Sequence, residues 1–168
     1  MALTFQTVGV VGAGAMGRGI AQIAAQAGST VRLYDTQPQA VEKACAEISS
    51  QWARLQEKGR MDEAAVRACN ERLQPASSLA QLADCDLVVE AIVEKLDVKK
   101  SLFAELEAVV REDAVLATNT SSLSVTAIAA GAKRPQRVAG FHFFNPVPLM
   151  KVVDRKSTRL NSSHRCIS

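Results

Sequence analysis

Thr7 to Ala27 read TVGVVGAGAMGRGIAQIAAQA. An apolar, β-rich run over Thr7–Val11 leads into Gly12-Ala13-Gly14-Ala15-Met16-Gly17, and a helical pattern follows over Ala15–Ala27. The spacing G-x-G-x-x-G carries little weight alone, but between a strand and a helix it has a mechanism. Gly12 permits the tight turn, Gly14 lets a pyrophosphate approach the backbone, and Gly17 lets helix and strand pack closely. The free N–H groups at the helix start then face the phosphates. A glycine-rich turn with no ligand is the reading this context disfavours.

The same rhythm continues outward. Further β-rich runs occur at Thr30–Tyr34, Asp86–Ala91, Ala114–Thr118 and Arg137–Phe141, with helical patterns at Pro38–Lys58, Asp62–Leu73 and Leu96–Val110. Nearly continuous apolar strands separated by amphipathic helices predict a parallel sheet covered on both faces. The expected class is α/β: a doubly wound, mostly parallel sheet of the Rossmann type. Two helices fall between the second strand and the next, broken at Gly59, where a simple crossover needs one. The pair is expected to project from the sheet as an insertion, with Val41, Cys45, Ile48, Trp52 and Leu55 as its apolar stripe.

Asp35 ends the strand VRLYD where an acidic residue can accept bonds from ribose hydroxyls, and its charge favours NAD over NADP. A turn or helix-capping aspartate is the plainer alternative. Arg32 lies on the strand, poorly placed for a phosphate. Ile92-Val93-Glu94, Asn119-Thr120-Ser121 and His142 to Asn145 follow later strands. Ligands of doubly wound sheets lie beyond the carboxyl ends of the strands, so these loops are expected to share one crevice. Oxidising a secondary alcohol needs a base for the hydroxyl proton while hydride leaves for the nicotinamide. Histidine suits that task because it titrates near neutral pH. Asn145, Pro146 and Pro148 would fix the loop after His142.

The formal charge of +3 is misleading. Arg155, Lys156, Arg159 and Arg165 stand against Asp154 in the last fifteen residues, which leaves residues 1–153 balanced. No basic patch supports a nucleic-acid partner. Cys45, Cys69 and Cys85 are scattered without a metal-ligand spacing and read as buried thiols in a reducing, cytoplasmic compartment. No signal peptide or membrane span is expected.

The motifs VGVVGAGAMGRGIA, LVVEAIVE, NTSSLSVTAIA and GFHFFNPVPLMKVV together resemble the N-terminal, NAD-binding part of the 3-hydroxyacyl-CoA dehydrogenases, in particular the bacterial 3-hydroxybutyryl-CoA type. The resemblance covers residues 5–153. It implies that His142 is the general base in oxidation and the acid in reduction, and that Ser121 bonds the C3 oxygen of the substrate. It also implies that Asn145 positions substrate and nicotinamide, that Glu94 and Lys99 contact the cofactor's ribose and amide region, and that Met16 lines the dinucleotide path. Gly12, Gly14, Gly17, Asp35, Ile92, Val93 and Asn119 complete the expected NAD site. Without the resemblance, Glu94 and Lys99 read as solvated surface charges, and Ser121 as the cap of a helix over Ser124–Ala130. An acyl-CoA is the implied substrate, and a homodimer the implied state of the whole enzyme.

From Asp154 the sequence, DRKSTRLNSSHRCIS, departs from the family. It reads as the in-frame translation of a common sequencing-library adapter, so residues 154–168 are expected to be non-native. The resemblance places a glutamate at position 154 to support the imidazole, and implies a helical C-terminal domain that this sequence lacks. The fragment is therefore expected to bind NAD weakly or not at all, with little activity. Two other functions remain open: a non-enzymatic dinucleotide-binding module, and a dehydrogenase of plain hydroxy acids. The helical pair and HFFNP favour CoA esters, and the joint presence of His142, Ser121 and Asn145 disfavours the non-enzymatic module.

Overall fold

The computed structural model describes residues 5–149 and the backbone of 153–157 and 165–167. The glycine-rich stretch forms β1 (Thr7–Val11) and α1 (Ala15–Gln26), as its pattern requires. There follow β2 (Thr30–Tyr34), α2 (Pro38–Glu57), α3 (Glu63–Arg72), β3 (Leu73–Ala76), β4 (Leu87–Glu90) and α4 (Leu96–Val109). The remainder comprises β5 (Val115–Thr118), α5 (Val125–Ala129), β6 (Val138–Phe143), β7 (Val153–Ser157) and β8 (Arg165–Ile167). The sheet order is β3-β2-β1-β4-β5-β6-β7-β8. The first six strands are parallel, while β7 runs antiparallel to β6 and β8 antiparallel to β7. The chain reverses its winding direction between β1 and β4, and the crevice of a doubly wound sheet opens at that switch.

Alternation along the strands sorts the core into two layers. Val8 and Val10 of β1, Val31 and Leu33 of β2 and Val89 of β4 pack with α1, α2 and α3 around Ile48 and Trp52. Val11 and Val88 face the other way, toward Phe103, Leu106 and Ile128 of α4 and α5. Helix α1 is rich in small residues where it meets the sheet, with Gly17, Gly19, Ala21 and Ala25 all buried. The layers settle the class as a Rossmann-type α/β fold.

The helical pair departs from expectation. It does not simply project: α2 buries Val41, Ala44, Ile48 and Trp52 in the first core layer. Cys45 and Leu55, expected on the same stripe, are half-buried at its margin. The pair forms the crossover into β3, a strand the sequence pattern did not predict. Pro75 lies in β3 and lacks an N–H, which a strand tolerates only at a sheet edge or bulge; β3 is the edge. Asp62 caps α3, its carboxylate accepting from the Ala65 N–H at 2.7 Å.

Cys69 and Cys85 are buried free thiols, whereas Cys45 is only partly covered. Burial, with the nearby Asp84 carboxylate adding to it, pushes the Cys85 thiol up to about 12. A raised thiol pKa leaves almost no thiolate, the nucleophilic form, under mildly alkaline conditions. Iodoacetamide at about pH 8.5, the ordinary thiol pKa, is therefore expected to leave Cys85 unmodified in the folded chain. After denaturation it should alkylate Cys85 fully, as read by peptide mass spectrometry. No helix among the described residues is long and apolar enough to cross a membrane.

Candidate active site

The glycine turn is held by sterics and by its neighbours. Gly12 has φ +108°, and its N–H donates to the Tyr34 carbonyl at 2.8 Å. A Cβ on Gly17 would overlap the Gly12 carbonyl oxygen, so only glycine lets α1 start so close to β1. At Gly14 an added Cβ would meet nothing within 4 Å, which leaves an open cradle over the first turn of α1. Gly14 is also the helix N-cap, and no side chain caps α1 there. Free N–H groups beneath an open cradle fit a pyrophosphate.

Asp35 sits at the end of β2, half-buried, with both oxygens engaged. Oδ2 accepts from the Ala13 N–H at 2.9 Å and Oδ1 from the Gln37 N–H at 2.9 Å. The turn role weighed from sequence is thus real, and it also ties the carboxylate to the glycine loop. Each oxygen keeps acceptor capacity for a ribose hydroxyl. Gly12, Gly14, Asp35, Ile92 and Val93 line a cavity of about 540 Å³. Val93 and Val98 are among the exposed apolar side chains of the chain, and both border this cavity. Arg32 is turned elsewhere, donating to the Gln81 carbonyl and the Asp84 carboxylate.

A second cavity, about 350 Å³, is lined by Met16, Glu94, Asn119, Ser121, His142 and Asn145. Ala91 and Ile92 border both cavities, which places them side by side along the ends of β1, β4, β5 and β6. His142 does not follow the strand but lies within it, because β6 runs on to Phe143, beyond the expected end at Phe141. Its ring packs against Phe144 with centroids 4.8 Å apart. Ser121 is not the cap of α5. Ser124 fills that role, its Oγ accepting from the Ala127 N–H, which leaves Ser121 facing the cavity. Asn119 Oδ1 accepts from the Phe143 N–H at 3.0 Å, so this residue joins the β5 loop to the histidine strand as well as lining the site. Beyond Asn145, Val147 is buried against α1 beside Gly19 and anchors the loop.

Lys99 overturns the surface reading. It is fully buried, its Nζ donating to Glu90 Oε2 at 2.5 Å and lying 3.9 Å from Glu94 Oε1. It lines neither cavity. Gly17 also lies beneath the site rather than on its wall. Glu90 is equally buried: Oε1 accepts from Thr118 Oγ1 at 2.6 Å and Oε2 from the Ile92 N–H at 2.8 Å. Removing one member of a buried ion pair typically costs about 3–5 kcal/mol, because the other charge is stranded.

Sequence reasoning missed Glu90 and Thr118, and named Thr120 only as part of its loop. Thr120, almost fully buried, donates from Oγ1 to Glu94 Oε2 at 2.8 Å and accepts from the Leu123 N–H at 3.0 Å. An acidic residue ending the wholly apolar run LVV was the available signal for Glu90. Position 154 pairs with His142 across β6 and β7 in the backbone register. The Asp154 side chain, like residues 158–164 of the tail, lies outside the described residues. Among the described residues no cluster of histidine, cysteine and carboxylate groups could hold a metal ion.

Residues 7–161 match the family described as 3-hydroxyacyl-CoA dehydrogenase, NAD binding domain. The chain is 46% identical over 154 residues to the 3-hydroxyadipyl-CoA dehydrogenase of Escherichia coli K12, covering 92% of this chain and 32% of that protein. It is 46% identical to the 3-hydroxybutyryl-CoA dehydrogenase of Bradyrhizobium diazoefficiens, covering 92% and 53% respectively. The crystal structure of 3-hydroxybutyryl-CoA dehydrogenase from E. coli K12 superposes with a TM-score of 0.90 at 46% identity, over 92% of this chain and 33% of that one. The chain thus spans between a third and about half the length of these relatives. The glycine cradle, the Asp35 clamp and the match to this sequence family agree: the chain belongs to the 3-hydroxyacyl-CoA dehydrogenases and carries their NAD-binding domain.

Proposed function

We propose that this chain is the cofactor-binding portion of an NAD-dependent dehydrogenase that interconverts (S)-3-hydroxyacyl-CoA and 3-oxoacyl-CoA. The observation that carries the reading is the single cavity shared by His142, Ser121, Asn119 and Asn145, adjoining the cavity of Gly12, Gly14 and Asp35. Bound NAD supplies the two-electron acceptor. Gly12, Gly14 and Asp35 would hold its adenosine and pyrophosphate end, with Met16, Ile92 and Val93 along its path and Glu94 placed to accept from its ribose.

His142 takes the proton of the substrate's C3 hydroxyl on an imidazole nitrogen during oxidation and returns it during reduction. Ser121 Oγ donates to the C3 oxygen, stabilising the negative charge that gathers there. Asn145 orients the acyl group on the loop that Val147 pins to α1. Phe143 lines the same cavity, and the Phe144 ring packs on the imidazole.

Residues 154–168 are read as a non-native tail, so residues 1–153 carry the native part of the NAD-binding domain, and Asp154 stands where the resemblance places a glutamate. The register opposite His142 suits a carboxylate partner for the ring. The whole enzyme would be a cytoplasmic homodimer in fatty-acid or related acyl-CoA metabolism, and the 168-residue chain itself would turn over little. Restoring the genomic sequence after Val153 and assaying NADH-linked turnover tests this. Oxidation of NADH by acetoacetyl-CoA, with no response to free 3-oxo acids or sugar acids, is the expected result. Turnover confined to the free acids, or none with any substrate, would reject the reading.

A further inference from the structure

The buried polar groups beneath the second cavity form one continuous line. Thr118 Oγ1 donates to Glu90, Glu90 holds Lys99, Lys99 approaches Glu94, and Thr120 Oγ1 closes on the far oxygen of Glu94. Glu90 and Lys99 are wholly buried, whereas Glu94 is partly exposed on the cavity wall. The two buried charges cancel each other, so their presence needs an explanation beyond stability. A buried pair of this kind is often no more stabilising than apolar residues of similar volume.

Charge supplies the explanation. Glu90 Oε2 receives both the Ile92 N–H and Lys99 Nζ, which fixes the ammonium at one point under the loop between β4 and α4. That ammonium is the cation facing Glu94 from below, and no other lysine or arginine among the described residues pairs with Glu94. From the side, Thr120 donates to the same carboxylate and in turn receives the Leu123 N–H. Glu94 is thereby held from two directions, and the loop carrying Ser121 is tied to it.

We propose that the buried Glu90–Lys99 pair is a positioning unit that holds Glu94 at the cavity wall and, through Thr120, sets the loop bearing Ser121. Neither Glu90 nor Lys99 lines either cavity. Lys99 acts through Glu94. The proposal rests on reading this cavity as the dehydrogenase site, but its test does not depend on turnover.

The double variant E90Q/K99M removes both charges together, so no buried ion is stranded. The introduced amide can still accept from the Ile92 N–H and donate to the Thr118 hydroxyl. Amide hydrogen exchange by NMR on the 168-residue chain then reads the loop directly. The expected result is exchange at Leu123 faster by tenfold or more, with the amides of Val10, Leu33 and Val89 unchanged. Unchanged exchange at Leu123 would overturn the proposal, and so would a uniform acceleration of all four amides, which marks a pair that merely holds the fold. Should the double variant not fold, E94A decides the matter, because the residue is partly exposed: it must loosen Leu123 to a similar degree. NADH titration of the longer protein carrying the same substitutions is expected to give a dissociation constant weakened about tenfold in each variant. An unchanged constant beside a loosened loop would also overturn the proposal. Absence of NADH binding by the longer parent protein would count against the cofactor reading alone, with the exchange data still deciding the positioning role.

Discussion

Replacing Gly17 with alanine is expected to cost this chain at least about 3 kcal/mol of folding stability, the upper range for forcing a methyl group into a packed site. The added Cβ would overlap the Gly12 carbonyl oxygen, which is backbone and cannot rotate away. Moving Gly12 is blocked in turn, since it holds φ +108° and donates to Tyr34 while its own α-carbon faces the Ala91 carbonyl. Relief must come from sliding the first turn of α1 off β1, which opens the contacts of Val10 and Ile20 in the core. Urea unfolding followed by circular dichroism measures the effect. A loss below about 1 kcal/mol, the centre of the range for ordinary substitutions, would mean that the turn is softer than its geometry implies. In the longer protein the same substitution should abolish NADH binding, because the phosphate cradle is built from the N–H groups that move.

His142→Gln is the second large effect. In the longer protein it is expected to lower kcat by about 10² to 10⁴, the usual range for losing a general acid–base group. The KM for the acyl-CoA should change little. Glutamine keeps the size and a hydrogen-bonding end but cannot carry the proton. The fold should tolerate the change, since His142 is only partly buried and its ring contact is with Phe144 at the surface. Steady-state rates in both directions across neutral pH provide the check. A rate close to that of the parent would remove His142 from the chemistry.

The fold was readable where one physical rule acted alone. β1 and β2 begin and end where the apolar runs place them, and α1 starts at Ala15 as expected and stops at Gln26, one residue before the expected end. β3 escaped notice because Pro75 argues against a strand unless the strand is known to be an edge, and edges are a property of the assembled sheet. Missing it made the helices α2 and α3 look like an insertion instead of a crossover. The site residues were readable as a set of strand ends, because topology alone carries strand ends to a common rim. What one dimension could not give was depth. Lys99 looks like a solvated charge until Glu90, on the strand before its helix, is seen to meet it inside the protein. Asn119 has a backbone duty invisible in a motif, and so has Asp35 beyond its own turn, since each accepts an N–H from a distant element: Phe143 on β6 and Ala13 in the glycine turn.

The strip formed by Ala91 and Ile92 has a practical meaning for anyone reshaping this scaffold. It is the shared wall of two chambers, and its backbone is pinned from beneath by the bond from Ile92 to Glu90. A library that varies residue 92 would therefore alter both chambers in one step, without disturbing the strand below. Libraries at Val93 would reach only the first chamber, and libraries at Ser121 only the second. On the proposed function, selectivity for cofactor and for substrate can be tuned separately at those outer positions, whereas at residue 92 they are inherited together.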